Sequence, residues 1–146
     1  MGFSLAEIVS VLVIAGVLFA VAAPKFSGVG FSESGFANET AAALRYAQRS
    51  ATGMQRTVCV EFLSTTSFRL RYKSTYGSGA CDTGLVPPGG GSAPYTVTAT
   101  GTASFAAQPA DFSFDRIGKP SFGSTLTITL NDARTVVVEV ESGLVH

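Results

Sequence analysis

The sequence lacks most of the residues from which catalytic and metal sites are built. It has one histidine, His146 at its last position, and two cysteines. A Ser-His-Asp triad needs a buried and oriented histidine, which a chain end rarely supplies. No paired-carboxylate motif stands out, and the Gly89-Gly90-Gly91 run lacks the lysine that follows the glycines of a phosphate-binding loop. We therefore predict that the chain is not an enzyme and that it has no cofactor and no metal site.

The sequence also lacks an excess of charge of either sign. It has ten basic and ten acidic residues, and one of the acids, Glu7, lies in an apolar N-terminal segment. The remainder therefore carries ten basic against nine acidic residues, a net charge of +1. Such a balance gives no reason to expect a strongly electrostatic partner, and we do not expect nucleic acid to be one.

Charge is missing altogether from Ile8 to Ala23. The 21 residues Phe3–Ala23 would form a helix about 31 Å long, close to the roughly 30 Å hydrocarbon core of a bilayer. Apolar residues surround this helix, so it has no side suited to water. The sequence therefore predicts a transmembrane helix.

Three interpretations of this segment compete. A secretory signal peptide needs a positively charged start, and no Lys or Arg precedes the apolar run, although Ala20-Val21-Ala22 resembles a cleavage site. A plain signal anchor has no use for Glu7, which would cost a few kcal/mol near the centre of a membrane helix and less near its end. The third interpretation gives the carboxylate a role.

Gly2-Phe3 followed by Glu7 resembles the processing signature of type IV pilins and type II secretion pseudopilins. The resemblance implies that a prepilin peptidase cuts between Gly2 and Phe3, and that Phe3 becomes N-methylated. It also implies that Glu7 is an assembly residue inside a filament. A carboxylate among apolar helices is unfavourable without a positive partner, and the α-amine of Phe3 on a neighbouring subunit is such a partner.

Pro24 extends the resemblance, because the family has a proline at this spacing. Proline removes a backbone donor and clashes with the preceding turn, so we expect a helix break there. The sequence departs from the family at one point, since only Met1 and Gly2 precede Phe3 where family leaders carry Lys or Arg. We assign 1–2 as a leader remnant, 3–24 as the transmembrane and assembly helix, and 25–146 as a periplasmic head.

The head begins with a predicted amphipathic helix over 33–53. Ser34 is the expected N-cap and Gly53 the expected stop. One side of this helix is apolar at spacings of three and four, and it should pack on a sheet. Its apolar side consists of Phe36, Ala43, Leu44, Ala47 and Ala51.

After Gly53 the apolar period changes to two, which predicts strands. The predicted strands are 57–62, 68–72, 95–99, 111–115, 126–130 and 135–140, with a Gly-, Ser- and Pro-rich loop over 75–94. A turn at 131–133 makes the last two a hairpin. The predicted fold class is α+β, a long N-terminal helix packed on one antiparallel sheet, with no βαβ alternation.

This order of elements is also similar to the pilin family. Ala43–Gln48, Phe114–Pro120 and Gly143–Val145 resemble the minor subunits of the GspH or FimT type, and the mannose-sensitive haemagglutinin minor pilins are similar. The resemblance implies a subunit of a type IV pilus or type II secretion pseudopilus, resident first in the bacterial inner membrane. The implied partners are other subunits through the N-terminal helix, the prepilin peptidase, the assembly platform and membrane lipid.

The two cysteines are predicted to be bonded. In a chain exported across a membrane an even pair indicates a disulfide, and two free thiols are the alternative. A bond between Cys59 and Cys81 would close a loop of about 22 residues and stabilise the fold by roughly 3 kcal/mol.

A basic cluster leaves one function open. It consists of Arg45, Arg49, Arg56, Arg69, Arg71 and Lys73, with Glu61 as the opposing charge. The cluster could contact phosphates in a DNA-binding minor subunit, or it could be a solvated face whose guanidiniums are paired locally. We expect the second. An adhesive role for the 75–94 loop is a further alternative.

Overall fold

The computed structural model describes residues 5–22, 29–77 and 79–146 of the chain, which divides into two compact units, Met1–Gly30 and Phe31–His146. It has two helices, α1 (Leu5–Ala22) and α2 (Val29–Met54), followed by seven strands. The strands are β1 (Val58–Ser64), β2 (Ser67–Tyr72), β3 (Thr83–Gly84), β4 (Tyr95–Thr98), β5 (Phe112–Phe114), β6 (Leu126–Thr129) and β7 (Thr135–Val138). All their pairings are antiparallel, so the predicted α+β class is confirmed.

Helix α1 shows apolar side chains to its surroundings over the part whose side chains the structure describes. Leu5 is 80% exposed and Leu12 is 67% exposed, and the residues between them are exposed as well. Within the described residues, no helix combines the length and apolar character needed to cross a bilayer. The predicted span 3–24 includes residues outside those described, among them Pro24 and its expected helix break. The predicted long N-terminal helix is not confirmed, because residues 23–28, which join α1 to α2, lie outside those described.

Helix α2 buries the predicted apolar side but begins earlier than predicted. Ser34 lies inside the helix, so its assignment as the N-cap was wrong. Helices in proteins are stabilised mainly by packing of their apolar face, which here outweighs the low helix propensity of Gly30 and Gly35. Five side chains share the buried face: Phe36, Ala43, Leu44, Ala47 and Ala51.

The C-terminal end of α2 is closed by a Schellman motif. Gln55 has a positive φ of 54°, the Arg56 amide donates to the Ala51 carbonyl at 3.1 Å, and the Gln55 amide donates to Thr52 at 3.4 Å. Gly53 was predicted to stop the helix, but α2 continues to Met54 and Gln55 adopts the left-handed conformation. The chain reverses here and enters β1.

The first sheet has five strands in the order β3-β2-β1-β5, with β4 also on β2. On one edge β2 pairs with β1 along its whole length. Its other edge is shared, because β4 pairs with Ser67–Leu70 and β3 pairs with Arg71 and Tyr72. The segment 75–94 is therefore not a loop throughout, since β3 lies within it.

Strands β6 and β7 form the predicted hairpin but belong to a second sheet. The Ala133 amide donates to the Leu130 carbonyl at 3.1 Å, and Ala133 has a φ of 68°, which closes the turn at 131–133. The prediction of a single sheet was wrong, because β6 and β7 pair with each other and share no strand edge with the first sheet among the described residues.

The core lies between α2 and the two sheets. Four phenylalanines from the helix, the first sheet and a connecting segment share it: Phe36, Phe62, Phe68 and Phe105. Phe105 is central, with its ring centroid 4.9 Å from that of Phe36 and 5.5 Å from that of Phe62. Rings packed at such distances add to the free energy of burial. This core fixes the surfaces of the head described next.

Candidate functional site

The sequence placed the main candidate site in the N-terminal helix. Glu7 lies in the first turn of α1, where the Ser10 hydroxyl donates to its backbone carbonyl at 2.9 Å. A carboxylate in the first turn of a helix is favoured by the helix dipole. Gly2 and Phe3, the predicted processing site, and Pro24 lie outside the described residues, so cleavage and N-methylation stay predictions.

The apolar side chains of α1 form a surface that water does not suit. The described part of the helix exposes Leu5, Ile8, Val9, Val11, Leu12, Val13 and Ile14. Exposed apolar surface of this extent marks contact with a membrane or with other proteins. The exposed apolar surface of α1 therefore favours contact with lipid, with other protein chains, or with both.

The head contains the predicted disulfide. Cys59 in β1 is bonded to Cys81 in the segment before β3, with 6.2 Å between their Cα atoms. Next to it, the Asp82 carboxylate accepts hydrogen bonds from the Ser74 hydroxyl at 2.5 Å and the Ser74 amide at 3.0 Å. These bonds from Ser74 lower the pKa of Asp82 to about 2. The disulfide and Asp82 together hold the segment that leads into β3.

Most of the basic cluster is paired within the head. Arg69 Nε donates to Glu61 Oε2 at 2.6 Å, and the Arg71 guanidinium lies 4.0 Å from Glu61 while its Nη2 donates to the Asp82 carbonyl at 2.7 Å. Cross-strand pairing of β1 with β2 puts Glu61 opposite Arg69. The expectation of local pairing is therefore confirmed for these side chains.

Arg45 and Arg56, two further members of the cluster, donate to backbone carbonyls. Arg45 Nε donates to Val145 at 3.0 Å, and Arg56 Nη1 donates to Lys73 at 3.3 Å and also to Ser74. These guanidiniums hold segments of the chain in place.

The last residues of the chain are held against the second sheet and α2. Val137 and His146 exchange backbone hydrogen bonds of 2.8 and 3.0 Å, which extends the sheet at β7. Gln48 Nε2 donates to the Ser142 carbonyl at 2.7 Å. His146 Nε2 lies 3.2 Å from Glu139 Oε1, and this hydrogen bond lowers the pKa of Glu139. His146 thus has a structural partner.

A buried carboxylate, Glu33, was missed by the sequence analysis. Glu33 is 5% exposed, and the Thr102 hydroxyl donates to its Oε1 at 2.9 Å, which ties α2 to the segment before Ala103. On the same face, the Thr40 hydroxyl is buried and has no hydrogen-bond partner among the described residues. The sequence did offer one signal for this pair, because residues spaced by seven, such as Glu33 and Thr40, lie on the same face of a helix. Among the described residues, no group of side chains is arranged to hold a metal ion.

A surface excursion connects β3 to β4 over 85–94. The Tyr95 amide donates to the Leu85 carbonyl at 2.6 Å, so the two ends of the excursion meet. The Tyr46 hydroxyl holds the Val86 carbonyl at 2.7 Å, and Gly90 closes a turn by donating to Pro87 at 2.9 Å. The tip at 88–91 is exposed.

No protein-family model matches the sequence, and no curated protein sequence matches it. The fold is similar to that of the type IV minor pilin FimU of Pseudomonas aeruginosa, strain PAO1, in two crystal structures. One has a TM-score of 0.58 and 14% identity over 82% of this chain and 90% of that chain. The other has a TM-score of 0.54 and 14% identity over 77% and 90%. The chain therefore has a pilin-like fold.

Proposed function

We propose that this chain is a structural minor pilin or pseudopilin. The observation that carries the proposal is the combination, in one chain, of a pilin-like head and a helix that is apolar on all its described sides with Glu7 in its first turn. The head buries its apolar residues internally, whereas α1 needs other molecules around it. In a filament subunit this helix would be surrounded first by membrane lipid and then, after assembly, by other subunits.

The proposed course begins in the bacterial inner membrane, with the head in the periplasm. Prepilin peptidase cuts between Gly2 and Phe3, Phe3 is N-methylated, and an assembly platform passes the subunit into a type IV pilus or a type II secretion pseudopilus. There the α1 helices of neighbouring subunits replace lipid around one another. Glu7 pairs with the α-amine of Phe3 on a neighbour, which selects the axial register.

The basic cluster supports a structural role over DNA binding. Nonspecific DNA binding depends on cations that are free to neutralise phosphates, and the Arg69 and Arg71 guanidiniums already face Glu61. We expect DNA binding no tighter than roughly 10⁻⁴ to 10⁻⁶ M at physiological salt. Submicromolar binding that is lost in the Arg69→Ala, Arg71→Ala double variant would favour the DNA-binding alternative.

The test of the proposed function is the fate of a Glu7→Leu variant. This substitution makes the helix more apolar, so membrane residence should be retained. It also leaves the Phe3 amine without its partner in a low-dielectric setting, a loss of several kcal/mol. We expect the fraction recovered in sheared filaments to fall at least tenfold while the membrane fraction persists.

A Ser10→Leu variant is the matched control, because it adds the same apolar side chain one turn later without removing a charge. Intact mass of both proteins from membranes reports processing, which should begin the chain at a methylated Phe3. Equal incorporation of Glu7→Leu and the parent would contradict the assembly role of Glu7. A product that begins at Ala23 or Pro24 would favour ordinary signal peptidase and contradict the proposed function.

A further inference from the structure

A cleft of about 340 Å³ lies at the C-terminal end of α2 and has no part in the assembly role proposed above. Three segments line it: the exit from α2 at 55–57, the chain after β2 at 75–77, and the turn after β5 at 115–116. These segments are far apart in the sequence and are brought together by the sheet and the helix cap. The cleft belongs wholly to the head.

Arg56 forms one cationic wall of the cleft and is fixed in place. Its Nη1 donates to the carbonyls of Lys73 and Ser74, on the segment that follows β2. These bonds use one of the two terminal nitrogens of the guanidinium. A guanidinium has five N–H donors, so Nη2 and Nε retain donors for a ligand. A side chain that is already ordered loses little entropy when it binds.

Arg116 also lines the cleft, and it lies on a tight turn that follows β5. The Gly118 amide donates to the Asp115 carbonyl at 2.9 Å, and Asp115 Oδ1 accepts from the Ile117 and Lys119 amides, both at 2.9 Å. Gly118 has a φ of 84° and backs onto α2, where a Cβ would lie 3.1 Å from Thr52 Cγ2. The turn is therefore rigid and docked on the helix. Within the part of the chain that the structure describes, the Arg116 side chain has no hydrogen bond or ion pair.

The charge and rim of the cleft indicate what it accepts. Its lining includes two arginines, Arg56 and Arg116, and one acid, Asp115, whose Oδ1 accepts from backbone amides. Tyr76 lines the cleft and is 62% exposed, and Ile117, the chain neighbour of Arg116, is 71% exposed. Arg and Tyr beside exposed apolar side chains are the composition of protein-interaction hot spots.

We propose that this cleft binds an acidic side chain of a partner protein, a Glu or Asp that lies beside an apolar residue. The carboxylate pairs with Arg116 and with the free donors of Arg56, and the apolar neighbour packs on Tyr76 and Ile117. The volume leaves room for the carboxylate side chain and part of its apolar neighbour, and the excess of a single positive charge does not suit a strand of phosphates. The proposal depends on the head alone and stands whether or not α1 assembles filaments.

The experiment is an NMR titration of the full-length, ¹⁵N-labelled chain in detergent micelles with capped tripeptides. The probes are acetyl-Leu-Glu-Phe-amide and its uncharged match, acetyl-Leu-Gln-Phe-amide, with galacturonate and inorganic phosphate as other sources of anionic groups. We expect amide shifts confined to 55–57, 75–77 and 115–117, and affinity for the Glu peptide about tenfold above that for the Gln peptide.

Two charge-matched variants complete the test. Arg116→Gln should lower affinity for the Glu peptide about tenfold and leave the rest of the spectrum unchanged. Arg49→Gln removes the same charge from an exposed site on α2 that does not line the cleft, and it should leave affinity within twofold. Equal affinity for both peptides, equal loss in both variants, or tighter binding of galacturonate or phosphate would overturn the proposal.

Discussion

Helices α1 and α2 both carry apolar side chains that are unfavourable in water, and the two helices differ in whether the chain itself buries them. Helix α2 keeps its apolar side chains on one face and buries them, with Leu44 and Ala47 fully enclosed by the sheets. Helix α1 has apolar side chains on every described side and exposes them, Leu5 and Leu12 among them. The apolar face of α2 is covered by the same chain, whereas the exposed apolar side chains of α1 require other molecules to cover them.

One acidic residue from each helix, Glu33 on α2 and Glu7 on α1, shows the same difference in surroundings. Glu33 on α2 is buried and accepts the Thr102 hydroxyl from its own head. Glu7 lies on α1 among apolar side chains, and its proposed partner is the amine of another subunit. The comparison teaches that apolar surface left exposed by a chain is itself a functional signal, because such surface must be shielded from water by something.

The largest expected effect comes from truncating one leucine in each helix. Leu44→Ala should lower the free energy of unfolding of the head by about 2–5 kcal/mol, because it opens a cavity in a close-packed core. Leu12→Ala should leave that free energy unchanged. Denaturant titration of the full chain in micelles, followed by tyrosine fluorescence, measures this, since all four tyrosines lie between 46 and 95.

The control for this pair is filament recovery. Leu44→Ala at a permissive temperature should assemble like the parent, and Leu12→Ala should assemble less well. A similar loss of head stability in Leu12→Ala would contradict the comparison, because it would mean that Leu12 is buried against its own chain.

Removal of the disulfide should have the next largest effect. A Cys59→Ala, Cys81→Ala variant should lose about 3 kcal/mol in the free energy of unfolding of the head, from the greater chain entropy of its unfolded state. The segment between β2 and β3 should exchange its amide hydrogens faster, while α1 should not change. Unchanged stability would show that Asp82 and the strand pairing hold this segment unaided.

Two glycine substitutions of opposite sign test the packing of the last residues. Gly143 has a φ of 66°, and a Cβ there would lie 2.2 Å from the Gly118 carbonyl oxygen. Gly143→Ala should therefore cost at least about 1–2 kcal/mol from the left-handed conformation alone.

Gly53→Ala is the matched control within the same head. A Cβ at Gly53 meets open space, and alanine is the better helix former, so this variant should gain about 0.5–1 kcal/mol. Equal and small effects of both changes in thermal unfolding would contradict the close approach of Gly143 to Gly118.

The smallest expected effect is a pH dependence from Asp82. Its pKa is lowered to about 2 from the usual 3.8, first by the Ser74 hydroxyl and then by the Ser74 amide. Because the folded pKa lies below the unfolded one, the contribution of Asp82 to stability is complete above 3.8 and is lost as the pH falls toward 2. Asp82 is exposed, so the effect should be small.

The measurement is the difference between parent and Asp82→Asn stability at pH 6, 4 and 2.5. The other carboxylates titrate in both proteins, so the difference isolates Asp82. We expect the difference to narrow between pH 4 and 2.5. A constant difference over this range would contradict the lowered pKa.

The local patterns of the head were the predictable part of the fold. The period of α2 identified its buried face, including Phe36 and Leu44, because one helix face must pack. Alternation identified β1, β2 and the β6–β7 hairpin, and the number of cysteines identified the disulfide. Each of these signals is carried by residues that are close in the sequence or by a single possible pairing.

The features that sequence reasoning missed depend on distant partners. The two-residue strand β3 exists because Arg71 and Tyr72 on β2 offer it an edge, and nothing within Thr83–Gly84 indicates this. The division into two sheets is decided by which edges meet across the core. The cleft at the end of α2 likewise unites Gln55, Tyr76 and Arg116, whose proximity no local pattern predicts.

The excursion over 85–94 has a consequence for how this protein can vary. The backbone bond from Tyr95 to Leu85 joins its ends, and Tyr46 holds its base. A change in the tip at 88–91 should therefore leave the core undisturbed. Doubling the length of such a loop costs only about 0.6 kcal/mol of closure entropy. Related chains can therefore diverge by insertion here, and a foreign epitope placed here would be displayed without altering the sheet beneath it.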